Sequence, residues 1–198
     1  MSVPIILGSS SPRRQYLMQQ AGFEFTIHKP DVDENFPDDM PVHNVAKYLA
    51  EKKANALQPF IVNHIVVTAD TVVIVDKNIL NKPADFNEAF DMLQMLSGRT
   101  HHVRTGVCIT FQKVKVLFDD VTVVTFSKLT KKEIEYYIHQ HKPFDKAGAY
   151  GAQDFIGMIA IEKIEGSYFN VMGLPIHKVY QQIKLLDNKF ESTRSKFD

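Results

Sequence analysis

The strongest constraint on how this chain folds is the segment 9–14, SSSPRR, which directly follows an apolar run at residues 3–8. Pro12 suits the first position of a helix, because its missing N–H would have no partner there. Ser11 is a favourable N-cap residue in front of it. The segment therefore predicts a strand at 3–8 that turns directly into a helix at about 12–21.

The two arginines of this segment lie where helix stability alone would favour acidic residues. Arg13 and Arg14 are in the first turn of the predicted helix, at the positive end of its dipole. Their guanidinium groups, the free backbone N–H groups and the hydroxyls, Ser9 among them, can together bind a polyanion. The alternative interpretation is two solvated arginines at a helix end.

Composition excludes several broad classes of function. The chain has 198 residues and a formal net charge of zero, which predicts no general attraction to nucleic acid or to a membrane surface. The apolar fraction is 44%, ordinary for a globular protein, but no stretch reaches the roughly 18 apolar residues that span a bilayer. A single cysteine, Cys108, and the lack of a signal-type N-terminus predict a cytoplasmic protein.

Alternating elements predict an α/β protein with a mixed, twisted β-sheet and flanking helices, in two lobes around a cleft. The predicted strands are 3–8, 23–27, 65–75, 101–112, 114–127 and 157–164, and the predicted helices are about 12–21, 43–57, 85–96, 130–141 and 175–186. Residues 28–42 are predicted to form a loop. We expect one domain over 1–186 and a polar, poorly ordered tail at 187–198.

Three charged residues break the pattern of their elements. Lys53 projects from the apolar stripe of the helix at 43–57, which favours a side chain that reaches into a cleft, although its stem could also carry the charge out to solvent. Asp70 interrupts an otherwise buried β-strand, which suits a general base or a metal ligand, or else an acid paired for fold specificity. A hairpin after Val75 could bring Lys82 beside this acid, although a lysine before proline is commonly a solvated loop residue.

Other segments suggest close contact with a ligand. Residues 145–153 are small and rich in glycine, and residues 165–175 have a similar character, so backbone could approach a bound molecule there. The acids at 31–34, including Glu34, could form a metal shell or simply a solvated loop. Adjacent His101 and His102 would face opposite sides of a strand and could not share a metal.

Taken together, these segments resemble the Maf family of nucleoside triphosphate pyrophosphatases. The matching segments are Ser9–Arg14, Lys53-Ala54, Ala69–Val73, Asn81-Lys82-Pro83, Ser97–His101, Asp145–Gln153 and Glu165–Pro175. They occur in the family's order and spacing, over the chain to about residue 186. The resemblance implies a fold related to that of inosine triphosphate pyrophosphatases.

The resemblance also implies an activity and a cofactor. It implies hydrolysis between the α- and β-phosphates, dependent on Mg²⁺ or Mn²⁺, which yields a nucleoside monophosphate and pyrophosphate. Within the family the sequence is most similar to the branch that acts on dTTP and UTP. That similarity depends on Arg13 followed by Arg14, on Thr71 after the acid, and on Gln153. A homodimer is a further expectation.

Each matching residue then has an expected role. Ser9, Arg13 and Arg14 would hold the phosphates, and Lys53 and Lys82 would neutralise charge that shifts toward the leaving pyrophosphate. Asp70 would activate the attacking water and contact the metal, with Glu34 as a second metal contact. Thr71 and Gln153 would read the edge of the pyrimidine base through hydrogen bonds.

Two other functions stay open from the sequence. One is a related pyrophosphatase for modified or purine triphosphates such as 7-methyl-GTP. The other is a nucleotide-binding regulator of cell division that does not hydrolyse its ligand, although such a protein would not need Asp70. Asp154 departs from the family pattern, where glycine commonly follows the glutamine, and its charge near the base pocket could alter substrate preference.

Overall fold

A computed structural model describes the backbone of residues 3–194 and the side chains of residues 3–188. The strands are β1 (Ile5–Leu7), β2 (Phe25–Ile27), β3 (Ile65–Val75), β4 (Asn78–Leu80), β5 (Thr100–Phe111), β6 (Val114–Phe126) and β7 (Ile161–Glu165). The helices are α1 (Pro12–Gln20), α2 (Val45–Asn55), α3 (Phe86–Leu96), α4 (Lys131–His141), α5 (Phe155–Ala160), α6 (Tyr168–Val171) and α7 (Ile176–Arg194), with short 3₁₀ turns at Gln58–Phe60 and Ala147–Ala149.

The strands form one mixed sheet in the order β2-β1-β3-β5-β6-β7, and β4 pairs with the far end of β3. Strands β2, β1 and β3 are parallel, whereas β3 through β7 are antiparallel neighbours. This confirms the predicted α/β fold with a mixed sheet and flanking helices. The described residues contain no helix long and apolar enough to cross a membrane.

One edge of β3 is open along part of its length. β1 pairs with β3 only at residues 65–67, and β4 pairs with it only at residues 73–75. Residues 68–72, which we call the open edge, therefore have no strand on that side. The order β2-β1-β3 also places a topological switch point at the carboxyl end of β1, the usual ligand position in such sheets.

Two apolar clusters lie on either side of the open edge. The first packs β1, α1 and α7 against the beginning of β3, with Leu7, Met18 and Ile183 fully buried. The second packs α3, α4 and α5 against the end of β3, with Leu93 and Tyr137 fully buried. The predicted cleft between two lobes corresponds to the space between these clusters.

Side chains define the starts of several helices. Pro12 is the first residue of α1, although the Ser11 side chain makes no capping hydrogen bond. Thr130 and Glu133 form the complete capping box of α4. Asp85 caps α3 by accepting from the backbone N–H of Glu88.

The predicted strand at 157–164 is wrong in its first half. Residues 155–160 form helix α5, and β7 begins only at Ile161. The buried residues Ile156, Gly157 and Ala160 have helical spacing, because the short helix turns one face to the second cluster. A run of apolar residues without alternation cannot by itself distinguish a strand from a buried helix.

The end of the chain also differs from expectation. Helix α7 continues to Arg194, beyond the predicted end at residue 186, so the segment 187–194 is helical rather than a poorly ordered tail. The buried carboxylate of Asp187 accepts a hydrogen bond of 3.1 Å from the backbone N–H of Val3. This contact fixes a polar residue in the fold. Residues 195–198 lie outside the described residues.

Helix α2 lies directly against β5 because of Gly106. A Cβ atom at this position would lie 2.3 Å from the backbone C and O atoms of Ala46. No side chain fits there without moving the helix. The glycine therefore sets how closely α2, which carries Lys53, approaches the sheet.

We expect Gly106→Ala to lower the free energy of unfolding by about 1–3 kcal/mol, since the added methyl group forces α2 away from β5. Urea unfolding followed by circular dichroism measures the change. Thr100→Ala, at the exposed start of the same strand, is the control and should change stability by less than about 0.5 kcal/mol. Unfolding of Gly106→Ala at the wild-type midpoint would show that the contact between helix and strand is not tight.

Candidate active site

A cleft with a volume of about 630 Å³ opens at the open edge of β3. Its walls are the turn after β1, the loop at 28–34, the end of α2, the segment 145–153 and the segment 171–173. The cleft is lined by all nine predicted site residues: Ser9, Arg13, Arg14, Glu34, Lys53, Asp70, Thr71, Lys82 and Gln153. The structure therefore brings the sequence-predicted site residues into one cavity.

Asp70 lies at the middle of the open edge and forms an ion pair with Lys53. The Nζ atom of Lys53 donates to Oδ1 of Asp70 at 2.5 Å, and both side chains are about nine-tenths buried. The pair explains why each residue breaks its local pattern, because each charge neutralises the other. The snorkelling alternative for Lys53 is therefore wrong.

Glu34 extends this pair into a chain of charges. Lys53 also donates to Oε1 of Glu34 at 2.8 Å, and Lys82 donates to Oε2 at 3.0 Å. Burial favours the protonated form of Glu34, but the hydrogen bonds and charges of these two lysines outweigh burial and lower its pKa to about 2. Glu34 is thus ionised, and the loop at 28–42 is attached to the cleft.

The hairpin predicted after Val75 is confirmed, because β4 pairs antiparallel with β3. It carries Lys82 to the cleft, where the amine contacts Glu34 rather than Asp70.

Arg14 closes the open edge from the side of α1. Its Nε donates to the carbonyl of Gly173 at 2.8 Å and its Nη1 donates to the carbonyl of Ala69 at 2.8 Å. The same guanidinium donates to the hydroxyls of Ser9 at 3.2 Å and Thr71 at 3.0 Å. Burial lowers the pKa of Arg14, an effect that the charge of Asp70 opposes.

Arg13 points to the opposite wall of the cleft. Its Nη1 lies 3.0 Å from Oδ2 of Asp145, whose side chain is more than half exposed. Because a pair this exposed is weak, Arg13 can exchange Asp145 for another anion. The two adjacent arginines therefore differ, since Arg14 braces the fold and Arg13 is available to a ligand.

The remaining predicted residues, Gln153 and Thr71, also line the cleft. Gln153 is exposed and lies in the cleft wall with Tyr150 and Val103. Thr71, by contrast, has its hydroxyl engaged, because it accepts from Arg14 and lies 2.9 Å from the hydroxyl of Thr105.

Tyr150 is supported from behind by His101. Nε2 of His101 lies 2.8 Å from the Tyr150 hydroxyl oxygen, and the two rings meet edge to face. Burial, with a smaller contribution from the charge of His102, lowers the pKa of His101 to about 4. His101 is fully buried and His102 is exposed, which confirms that they face opposite sides of the strand.

Sequence analysis did not single out Lys29 or the role of Asp145. Lys29 lies in the cleft wall on the loop at 28–34. Six cationic and three anionic side chains line the cleft in the described part of the chain, so its lining carries a net positive charge. A lysine in a polar loop gives no local signal, because only the fold shows that the loop covers the cleft.

A family model described as Maf-like protein matches residues 4–186. The chain belongs to the Maf-like protein family. This confirms the family resemblance inferred from the seven segments.

Relatives of this Maf-like chain share the name dTTP/UTP pyrophosphatase. The protein of that name from Porphyromonas gingivalis is 46% identical, over 91% of this chain and 92% of its own length. One from Bacteroides fragilis is 44% identical, over 92% and 95%. One from Cytophaga hutchinsonii is 43% identical, over 93% and 84%.

We expect Arg14→Lys to lower the free energy of unfolding by about 1–3 kcal/mol, because an ammonium group cannot reproduce four hydrogen bonds of a planar guanidinium. Arg13→Lys, which alters an exposed ion pair, should cost less than about 1 kcal/mol. Urea unfolding of the two variants measures the difference between their free energies of unfolding. Equal losses would contradict the assignment of Arg14 as a brace.

We expect acid to destabilise the protein through His101. Between pH 6.5 and about 4 the unfolded chain binds a proton at His101 that the folded chain does not, so the free energy of unfolding falls as the pH falls. His101→Gln removes this dependence. The stability advantage of wild type over the variant should therefore shrink by up to about 3 kcal/mol from pH 7 to pH 4.

Urea unfolding of this Maf-like protein at a series of pH values measures that dependence. His102→Gln, which changes the exposed neighbour on the same strand, is the matched control and should follow wild type. A wild-type advantage that stays constant between pH 7 and pH 4 would show that His101 is protonated equally in both states.

Proposed function

We propose that this chain is a nucleoside triphosphate pyrophosphatase that hydrolyses dTTP and UTP to the monophosphate and pyrophosphate. The observation that carries the proposal is the nearly buried Asp70 at the open edge, paired with Lys53 inside a cleft of net positive charge. The names of relatives that are 43–46% identical over most of the chain support the choice of substrate.

The reaction we assign to the cleft is attack of water on the α-phosphorus. Asp70 accepts the proton of that water as general base, the new P–O bond forms, and the bond from the α-phosphorus to the α,β-bridging oxygen breaks. Pyrophosphate leaves with that oxygen. Lys53 and Lys82 neutralise the negative charge that builds up on the leaving group.

The phosphates are held by groups around the start of α1. A nucleoside triphosphate carries about four negative charges, which suits a cleft of net positive charge. Arg13 exchanges Asp145 for phosphate oxygens and binds them in bidentate fashion. Ser9, whose hydroxyl accepts a hydrogen bond from Arg14, lies in the same wall of the cleft. Arg14 itself keeps the turn in place and leaves one N–H of its guanidinium for the substrate.

We propose Mg²⁺ or Mn²⁺ as cofactor, held by Asp70 and Glu34 together with phosphate oxygens. The residues fit such an ion, because both carboxylates converge on the single cationic Nζ of Lys53, at 2.5 and 2.8 Å. One or two carboxylates completed by substrate phosphates are a usual donor set for Mg²⁺. When bound, the ion supplies positive charge that polarises the phosphoryl oxygens.

The base is read by Gln153 in the wall of the cleft. Gln153 offers both an amide donor and a carbonyl acceptor, which match the alternating groups on a pyrimidine edge. Thr71 was predicted to share this role. Its hydroxyl is engaged by Arg14 and Thr105, so we assign Thr71 to the support of Arg14 and the base contact to Gln153.

Expectations about the surroundings of the protein stay predictions. These are a cytoplasmic location, a homodimer, and the lack of nucleic-acid and membrane partners. A zero formal net charge supports the last of these, because positive charge in the described cleft is local.

We expect Asp70→Asn to lower kcat for dTTP by about 10²- to 10⁴-fold, because the general base is lost while the shape of the side chain is kept. Pyrophosphate release from dTTP, UTP, purine triphosphates and 7-methyl-GTP, with Mg²⁺ or Mn²⁺, measures both activity and preference. A variant that keeps more than a tenth of the wild-type rate would contradict the role of Asp70.

Asp76→Asn is the matched control. Asp76 follows the same strand, is exposed and pairs with Arg99, and asparagine tolerates its positive φ of 55°. Its rate should equal that of wild type. Release confined to purine or methylated substrates would overturn the pyrimidine assignment, and nucleotide binding without release would favour a regulator.

A further inference from the structure

Tyr137 holds the segment that carries Gln153 without lining the cleft itself. It lies on α4, is fully buried, and packs in the second apolar cluster. Its hydroxyl oxygen accepts from the backbone N–H of Gly151 at 3.2 Å. The same hydroxyl donates to Oδ2 of Asp154 at 3.0 Å. One buried hydroxyl therefore joins both ends of the segment 151–154.

Asp154 is also fitted closely against this segment. A Cβ atom at Gly151 would lie 2.6 Å from Oδ2 of Asp154, so the carboxylate occupies the space that a side chain would need. The backbone N–H of Asp154 donates to the carbonyl of Gly151 at 3.0 Å. The segment is thus a tight turn, closed by backbone and by side chain.

A neighbouring lysine links the same carboxylate to the phosphate end of the cleft. Nζ of Lys146 lies 3.6 Å from Oδ2 of Asp154 and 2.8 Å from Oδ1 of Asp145. Asp145 in turn pairs with Arg13. Lys146 therefore bridges the turn that carries Gln153 and the carboxylate that occupies Arg13.

Burial and the charge of Asp154 both raise the pKa of Tyr137. The hydroxyl consequently keeps its proton, and its direction of donation is fixed. Between the two ends of the turn, Gln153 points its exposed side chain to the cleft.

We propose that Tyr137 and Asp154 are positioning residues for base specificity, which fix the turn 151–154 so that Gln153 meets a pyrimidine and not a purine. The inference rests on the proposed function of Gln153. A base contact discriminates only if its donor and acceptor are held in place, because a mobile amide adapts to either kind of base. Asp154, which departs from the family pattern, thus has a role in this chain.

The test is the ratio of kcat/KM for dTTP to kcat/KM for dGTP. We expect Tyr137→Phe to lower this ratio by about tenfold, because the ring still fills its place but both hydrogen bonds to the turn are lost. Partial unfolding would lower both rates equally and leave the ratio unchanged. Tyr136→Phe is the matched control, since Tyr136 is the exposed neighbour on α4, and its ratio should equal that of wild type.

Substitution of Asp154 gives a second, independent reading. Asp154→Ala should lower the ratio as Tyr137→Phe does. Asp154→Asn keeps an oxygen that accepts from Tyr137 and should restore most of the ratio. A ratio at the wild-type value in both Tyr137→Phe and Asp154→Ala would overturn the inference.

Gln153→Ala separates this inference from the function on which it rests. If Gln153→Ala leaves the ratio unchanged, the base contact of the proposed function is wrong, and any effect of Tyr137 must have another cause. If Gln153→Ala lowers the ratio and the other variants do not, only the positioning role fails. Should wild type release no pyrophosphate, the ratio of dissociation constants for dTMP and dGMP, measured by calorimetry, gives the same comparison.

Discussion

The structure depends on a break in strand pairing. Between Val67 and Val73, β3 has no neighbouring strand on one side, because β1 ends opposite Val67 and β4 ends opposite Val73. An unpaired strand edge exposes backbone groups that need partners. Here the guanidinium of Arg14 donates a hydrogen bond to the carbonyl of Ala69, and the space beside the unpaired edge forms the cleft. The same break in pairing leaves room for a ligand and requires the hydrogen bonds of Arg14 to hold the unpaired edge.

Each anionic side chain of the described cleft is paired with a cationic one. Lys53 forms ion pairs with both Asp70 and Glu34. Lys82 also pairs with Glu34, and Arg13 pairs with Asp145. Removing one member of a nearly buried pair leaves the charge of the other uncompensated. The resulting loss of stability is much larger than the stability that the intact pair contributes. The cleft is therefore already organised around negative groups. In the proposed function a triphosphate enters by replacing exposed carboxylates such as Asp145, while the buried pair stays in place.

Much of the site follows from residues that conflict with their own element. Lys53 in an apolar stripe predicted a cleft, and Asp70 in a buried strand predicted a general base, a metal ligand or a paired acid. The residue expected beside Asp70 was Lys82, whereas the structure pairs Asp70 with Lys53. The start of α1 was equally clear from Pro12. What the sequence could not show was which of two adjacent arginines faces inward. That depends on carbonyls of Ala69 and Gly173, which are distant in the chain.

The errors in the prediction have the same physical origin. The apolar run at 155–160 has no alternation, so only packing against the second cluster makes it helical. Asp187 was predicted to begin a tail, but it is buried and its carboxylate accepts a hydrogen bond from the backbone N–H of Val3. Local propensity is weak wherever a distant contact decides the outcome.

The long hairpin of β5 and β6 has a consequence for the order in which the protein folds. Its register runs without a break from Phe111 opposite Val114 to Thr100 opposite Thr125. Paired residues are therefore close in sequence, and formation of the hairpin closes only short loops of chain. The pairing of Ile5 with Ile65, by contrast, joins distant parts of the chain and is slow to form. The turn after β1, which forms one wall of the cleft, reaches its place only when β1 pairs with β3. A chain in which the hairpin has formed but β1 has not yet paired with β3 therefore lacks one wall of the cleft.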